Sequence, residues 1–174
     1  TLDNKTLDDY LDALKDLFII EDIPAWNPNI RSKAAIRTTP TRHFVDTSIA
    51  AAVLGISPDD LMNDLNSFGL FFEDMAVRDL VIYSSYLGAK VKHYRDSSGL
   101  ESDAVIHFEN GKWAAVEIKL GGEKLIEEGA KNLEKLKTIV DNDNLAFRMV
   151  LTATGAAYRR KDGIYVVPIN CLTV

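Results

Sequence analysis

One cysteine, Cys171, stands among 174 residues, so no internal disulfide can form and no cysteine-rich zinc site can be built. No apolar run approaches the roughly 18–20 residues that span a bilayer, and no segment has the layout of a signal peptide. Internal repeats and low-complexity stretches are missing. So is any GxxxxGK(S/T) phosphate loop, which excludes nucleotide hydrolysis by this stretch alone. His43, His93 and His107 are too scattered to read as a ligand cluster. These absences predict a cytoplasmic chain with no membrane association. The sequence opens at Thr1 in what reads as the middle of an element, and a fragment of a longer protein is expected.

What is present is enough for one domain, or one domain with an appendage. Hydrophobic residues make up 47% and charged residues 26%, the balance of a chain that buries a core. The net charge of −6 argues against wholesale binding of a polyanion, but the charge is unevenly spread. Arg31, Lys33, Arg37 and Arg42 form one basic island, and Arg159, Arg160 and Lys161 form another. The acids concentrate in residues 1–30 and 44–87. The two islands fit a local phosphate-contacting surface and equally fit solvated loops.

Apolar residues at helical spacing predict a helix through Leu7, Tyr10, Leu11, Leu14 and Leu17, capped by Thr6 with Asp9. A strand at Phe18–Ile20, a proline-containing basic loop over 24–41, and a strand at His43–Val45 follow. That order fits the end of a winged-helix unit over residues 1–56, and fits a packing arm as well. A short helix over 47–54 comes next. Residues 57–174 then read as a second unit. Ser57-Pro58-Asp59 starts a helix pair, whose longer member runs from about Ser67 to Leu87 and carries Glu73. Strands are expected at Val91–Arg95, in a hairpin over 101–121, at Phe147–Thr152 and at Ile164–Ile169. A helix over 123–140 joins the hairpin to the next strand, and such a strand–helix–strand unit predicts a parallel crossover.

The hairpin carries the chemistry. A two-residue turn at Asn110-Gly111 would mix apolar and charged residues on each face. A three-residue loop of Glu109, Asn110 and Gly111 pairs His107 with Trp113 and Val105 with Ala115. Ala104, Ile106, Phe108, Ala114, Val116 and Ile118 then share one face, and Glu101, Asp103, Glu117 and Lys119 share the other. A one-residue slip would turn every side chain over, so the hydrophobic pattern selects this register. It sets Asp103 and Glu117 opposite each other, about 5 Å apart at Cβ, where like charges repel. A divalent cation would relieve that repulsion, and an all-oxygen donor set suits Mg²⁺ or Mn²⁺. Lys119 is placed to stabilise charge on a phosphate. Ordinary surface ion pairing on an exposed hairpin is the other reading. Trp26 and Trp113 are candidates for stacking on bases or for packing, and Cys171 is expected in the core.

A helix with Glu73, three strands bearing Asp103 and Glu117-Ile118-Lys119, a helix and a strand resemble the αβββαβ core of the PD-(D/E)XK, restriction-endonuclease-like superfamily. More specifically, Tyr10-Leu11 through Leu17-Phe18, Phe44-Val45-Asp46, Gly69 through Glu73, Glu101-Ser102-Asp103 and Val116 through Lys119 are similar to the C-terminal domain of unknown function 4143 of prokaryotic AAA-type ATPases. The resemblance implies a mixed-sheet α/β nuclease fold behind a winged-helix-like remnant. It implies Asp103 and Glu117 as ligands of Mg²⁺ or Mn²⁺, Lys119 as the catalytic lysine and Glu73 as an accessory acid. Its implied partners are DNA and an ATPase domain of the same longer chain. Ser102 stands where the superfamily pattern has proline. Three functions follow: metal-dependent DNA phosphodiester hydrolysis, a silent nucleic-acid- or partner-binding module that targets the ATPase, and an interaction domain that never meets nucleic acid.

Overall fold

Helix α1, Asn4–Asp16, begins where Asp3 accepts the Thr6 amide at 2.7 Å, so the capping expected of Thr6 falls to Asp3, whose short carboxylate reaches the third helical amide. The structure, a computed structural model, describes residues 3–28, 37–140 and 143–173. Strand β1, Ile20–Ile23, pairs antiparallel with β2, Thr41–Phe44. Three helices follow: α2, Thr47–Leu54; α3, Pro58–Asn63; and α4, Leu65–Tyr86. Ser57 and Asp60 form a reciprocal capping box at α3, with proline at its first turn. The remaining elements are β3, Ala89–Arg95; β4, Glu101–Phe108; β5, Trp113–Lys119; α5, Glu123–Val140; β6, Leu145–Thr152; β7, Tyr158–Arg159; β8, Tyr165–Pro168; and a 3₁₀ turn, Ile169–Cys171.

The larger sheet has the order β3-β4-β5-β6-β8-β7. Its β3-β4, β4-β5 and β7-β8 pairs are antiparallel, and β5-β6 and β6-β8 are parallel. The fold is thus mixed α/β on a mixed sheet, and the crossover through α5 is parallel as its length requires. On one side Phe72, Ala76, Val77 and Leu80 of α4 pack on Ala104, Ile106, Ala114, Val116 and Ile118. On the other, Ala130, Leu133, Leu136 and Val140 of α5 pack on Val105, Ala115, Val150 and Val166. Trp26 joins this second layer, its ring centroid 4.7 Å from that of Trp113. Neither tryptophan is free to stack on a base: both are buried. The arm carrying Trp26 also bonds edge strand β3, through the amides of Trp26 and His93, and so covers part of an edge that would otherwise invite pairing. Among the described residues no helix is long and apolar enough to cross a membrane. Cys171 is exposed rather than in the core, because the 3₁₀ turn that carries it has no buried residue.

The β4–β5 hairpin has the three-residue loop. The Phe108 amide donates to the Lys112 carbonyl at 2.9 Å and Gly111 sits at φ 79°, a left-handed conformation that glycine takes without strain. The ladder runs from His107↔Trp113 to Ala104↔Val116 and stops there. The expected Asp103–Glu117 cross-strand pair does not extend it. Instead β4 bulges against its other neighbour. Lys92 pairs with Val105 and Tyr94 with Ser102, which leaves Asp103 and Ala104 facing His93 alone, two residues against one.

Candidate active site

The bulge re-aims Asp103. Its Oδ2 accepts the Ile118 amide at 2.7 Å and meets Lys119 Nζ at 3.3 Å. Ser102, at the position of the missing proline, is buried, and its hydroxyl donates to the Ala104 and Val116 carbonyls. A side-chain bond to Ile118 thus replaces the next rung of the ladder and swings the Asp103 carboxylate toward Glu117. Lys119 Nζ lies 3.1 Å from Glu117 Oε2, so both carboxylates converge on one ammonium.

The alternative reading, ordinary ion pairing on an exposed hairpin, does not describe Glu117. Glu117 is only 2% exposed, because α5 lies directly over it. Gly129 of α5 makes this close approach possible: a Cβ at that position would sit 3.2 Å from Glu117 Cβ. Burial, then the Asp103 charge, pushes the Glu117 carboxyl up to about 8, with Lys119 and the Asn132 amide pulling the other way. Burial opposes the Lys119 ammonium, but Asp103 and Glu117 outweigh it and hold the amine protonated beyond its usual range.

Glu73 approaches from α4. Burial and the Asp103 charge raise its carboxyl to about 7, with Lys119 and His43 opposing. It lines a small cavity of about 60 Å³ together with His43, Ser102 and Asp103. Glu73, Asp103 and Glu117 thus all feel the charge of the partly buried Lys119 ammonium. His43, which no local pattern places here, is fixed by Asp74 at 2.9 Å and by the Thr41 hydroxyl at 3.2 Å. Asp74 also accepts the Phe44 amide, so the β1–β2 ribbon is tied to α4 one residue from Glu73.

Asp103, Glu117 and Lys119 open onto a cleft of about 590 Å³ whose far wall is α5, with Asn132 and Lys135, and whose rim is the Ser98–Leu100 turn. Asn132 and Lys135 were missed by sequence reasoning, though helical spacing from the buried Leu133 and Leu136 places them on one flank of α5. Among the described residues no group of three or more His, Cys, Asp or Glu side chains is arranged to hold a metal ion. The two carboxylates are nevertheless the number Mg²⁺ commonly takes from a protein, the rest being water and substrate oxygens.

None of the described candidate basic residues lines this cleft. Arg31 and Lys33 lie outside the described residues. Arg37 is exposed and its amide donates to the Arg95 carbonyl. Arg42 bonds Asp22 at 3.1 Å. Arg160 is held by Glu127 at 2.8 Å and Asp162 at 2.9 Å, Arg159 lies over the Tyr165 ring, and Lys161 is exposed.

No curated protein matches the chain. Among solved structures it is similar to a refined half-complex from a tetradecameric assembly of Thermococcus gammatolerans McrB AAA+ hexamers with bound McrC. The identity is 14%, the TM-score 0.40, and the match covers 57% of this chain and 27% of that chain. The chain thus spans about a quarter of that protein's length, and the likeness is too partial to establish a shared fold. Residues 1–60 match a family described as Domain of unknown function (DUF8612). Residues 68–172, over half of the chain and including Glu73, Asp103, Glu117 and Lys119, match Domain of unknown function (DUF4143), and the chain belongs to that family.

Proposed function

We propose that the cleft is a metal-dependent phosphodiesterase site acting on DNA, in a restriction-endonuclease-like domain that serves a longer polypeptide with an AAA-type ATPase. The observation that carries this reading is the convergence of Asp103 and Glu117 on Lys119, 3.3 and 3.1 Å away, at the floor of an open cleft. A buried Glu117 beside a partly buried Asp103 places two like charges together at a cost, and their oxygens suit Mg²⁺ or Mn²⁺. Held by Asp103 and Glu117, such an ion would supply Lewis-acid chemistry to a phosphoryl oxygen and an attacking water.

The chain's own groups account for the rest. Hydrolysis forms one P–O bond to water, breaks another, and moves a proton from the water to the leaving oxygen. Lys119, held protonated, stabilises charge on the phosphate oxygens rather than acting as a base. Glu73, poised at about 7, can take up and return a proton near neutral pH. Asn132 holds the Glu117 carboxylate toward the cleft.

The test is incubation with linear, nicked and branched DNA plus Mg²⁺ or Mn²⁺, beside Glu117→Gln. Cleavage lost in the variant is expected, and equal cleavage by both proteins would overturn the reading. A second reading is favoured by Lys119 itself, which already neutralises much of the site. A silent module would bind nucleic acid or a partner without cutting, and binding without cleavage would select it.

A further inference from the structure

Lys124, Lys131 and Lys135 recur on α5 at spacings of seven and four, which at about 100° per residue puts them within roughly 40° of one another. They follow the crest of the helix beside the cleft for about 16 Å, all three exposed, with Lys135 lining the cleft itself. Helix stability does not account for them. Lys131 and Lys135 are like charges four apart, and Lys124 stands in the first turn, where the helix dipole disfavours a cation.

Helical spacing offers Lys131 three acids, Glu127, Glu128 and Glu134. Two of them turn away to the opposite flank, Glu127 to Arg160 and Glu134 to Arg148. Glu128 is the acid left on the crest. None of the three lysines has a salt-bridge partner among the described residues. The ion pairs that consume Glu127 and Glu134 on the far flank thus leave three lysines against one acid on the near one.

We infer that this crest is the path of a single-stranded polynucleotide backbone leading into the cleft, and that the 159–161 island is structural. The inference rests on the phosphodiester reading of the cleft for its direction. The three lysines follow one line at steps of about 10.5 and 6 Å along the helix axis, which a flexible phosphate chain can meet in turn. The floor of the cleft holds a nearly inaccessible Glu117 between a helix and the Ser98–Leu100 turn. A flexible strand can descend to it, whereas a duplex presents its phosphates on a broad rigid cylinder. The half-exposed Ile139 gives the wall apolar surface for a base face.

The test uses the full chain carrying Glu117→Gln, with EDTA present, so that binding is read apart from cleavage. Fluorescence anisotropy with a labelled 20-mer of dT compares this parent with Lys131→Glu/Lys135→Glu and with Arg159→Glu/Lys161→Glu, across a salt titration. The first pair is expected to weaken binding at least about tenfold and to flatten the log–log salt slope by about 1.4, two contacts at roughly 0.7 each. The second pair should stay within about twofold of the parent, and a duplex of equal length should bind more weakly. Equal loss in both pairs, tighter binding of duplex, or no binding by the parent at low salt would each overturn the path. Circular dichroism melts identify any variant that has lost its fold, and the single reversals Lys131→Glu and Lys135→Glu then carry the comparison. Crest-dependent binding without cleavage by the unmodified protein would sink the hydrolysis and leave the path standing.

Discussion

The two faces of the larger sheet are built from alternate residues of the same strands and come out chemically opposite. Toward α4, Val116 and Ile118 pack within an apolar cluster. Toward α5, their neighbours Glu117 and Lys119 carry charge into a layer that also holds Trp113, Leu133 and Leu136. An amphipathic strand normally has one face in the core and one in water. Here both faces of β5 are covered, so its polar face marks a buried site rather than a surface. One side secures the sheet, and the other accepts a stability penalty to keep carboxylates and an amine together.

The sharpest way to break this contrast is to move the acid one residue along. Val116→Asp would place an unpaired carboxylate against α4, where a buried charge without a partner costs several kcal/mol. A loss of more than about 4 kcal/mol, or failure to fold, is expected from urea unfolding. If the protein tolerated aspartate at 116 as it tolerates glutamate at 117, the two faces would not differ as described.

Next in size is Lys119→Met, which leaves Asp103 and Glu117 facing each other with no cation. Breaking such a pair typically costs about 3–5 kcal/mol, and the loss should be largest at pH 8. Near pH 5 Glu117, whose carboxyl burial already raises, is protonated, so most of the stability should return. A pH-independent loss would mean that Lys119 acts through packing alone.

Glu117→Gln should do the opposite. The folded-state pKa of Glu117, about 8, exceeds its ordinary value, so between roughly pH 4.5 and 8 the folded protein holds a proton that the unfolded chain has released. Stability therefore falls as pH rises through that window and is lowest above it. The amide removes this slope and should raise the melting temperature at pH 8 by a few degrees, about 2–4 °C per kcal/mol for a chain of this size. Glu73 contributes a similar slope up to about pH 7, so the variant's profile should be shallower rather than flat. Mg²⁺ should stabilise the parent and not the variant, since an ion bound only by the folded state shifts the melt. A parent and variant with the same pH profile would refute the buried-repulsion account.

The legible parts of this site were those decided locally. Gly111 and the alternation of Ala104, Ile106 and Phe108 settled the hairpin loop and its register. The 3.6-residue pattern located α5, and the length of the crossover made β5 and β6 parallel. What escaped depends on distant partners. Nothing between Glu101 and Lys119 says that β3 will force Asp103 and Ala104 to share His93, yet that bulge lets Asp103 bond the Ile118 amide. The burial of Glu117 belongs to α5. His43 reaches Asp74 over 31 positions of chain, and Trp26 stacks on Trp113 from an arm that reads equally well as a separate unit. The basic islands were visible as charge, but only the ion pairs of Arg42 and Arg160 show how much of that charge is already used.

The smallest expected effect concerns the helix that covers the polar face. Gly129→Ala would gain about 1 kcal/mol in helix propensity, so on α5 alone it should stabilise. In place, the new methyl would stand 3.2 Å from Glu117 Cβ, 3.4 Å from Val150 Cγ2 and 3.6 Å from Lys119 Cγ. Glu117 Cβ is fixed to a strand flanked by β4 and β6, so α5 rather than β5 must give way. Overpacking of this kind costs about 1–3 kcal/mol, which leaves a net loss near 1 kcal/mol. The displaced helix would carry Asn132 and Lys135 away from the cleft floor, so any cleavage should fall more steeply than stability. A variant more stable than the parent with full activity would mean that Gly129 does not set the fit of α5 over Glu117.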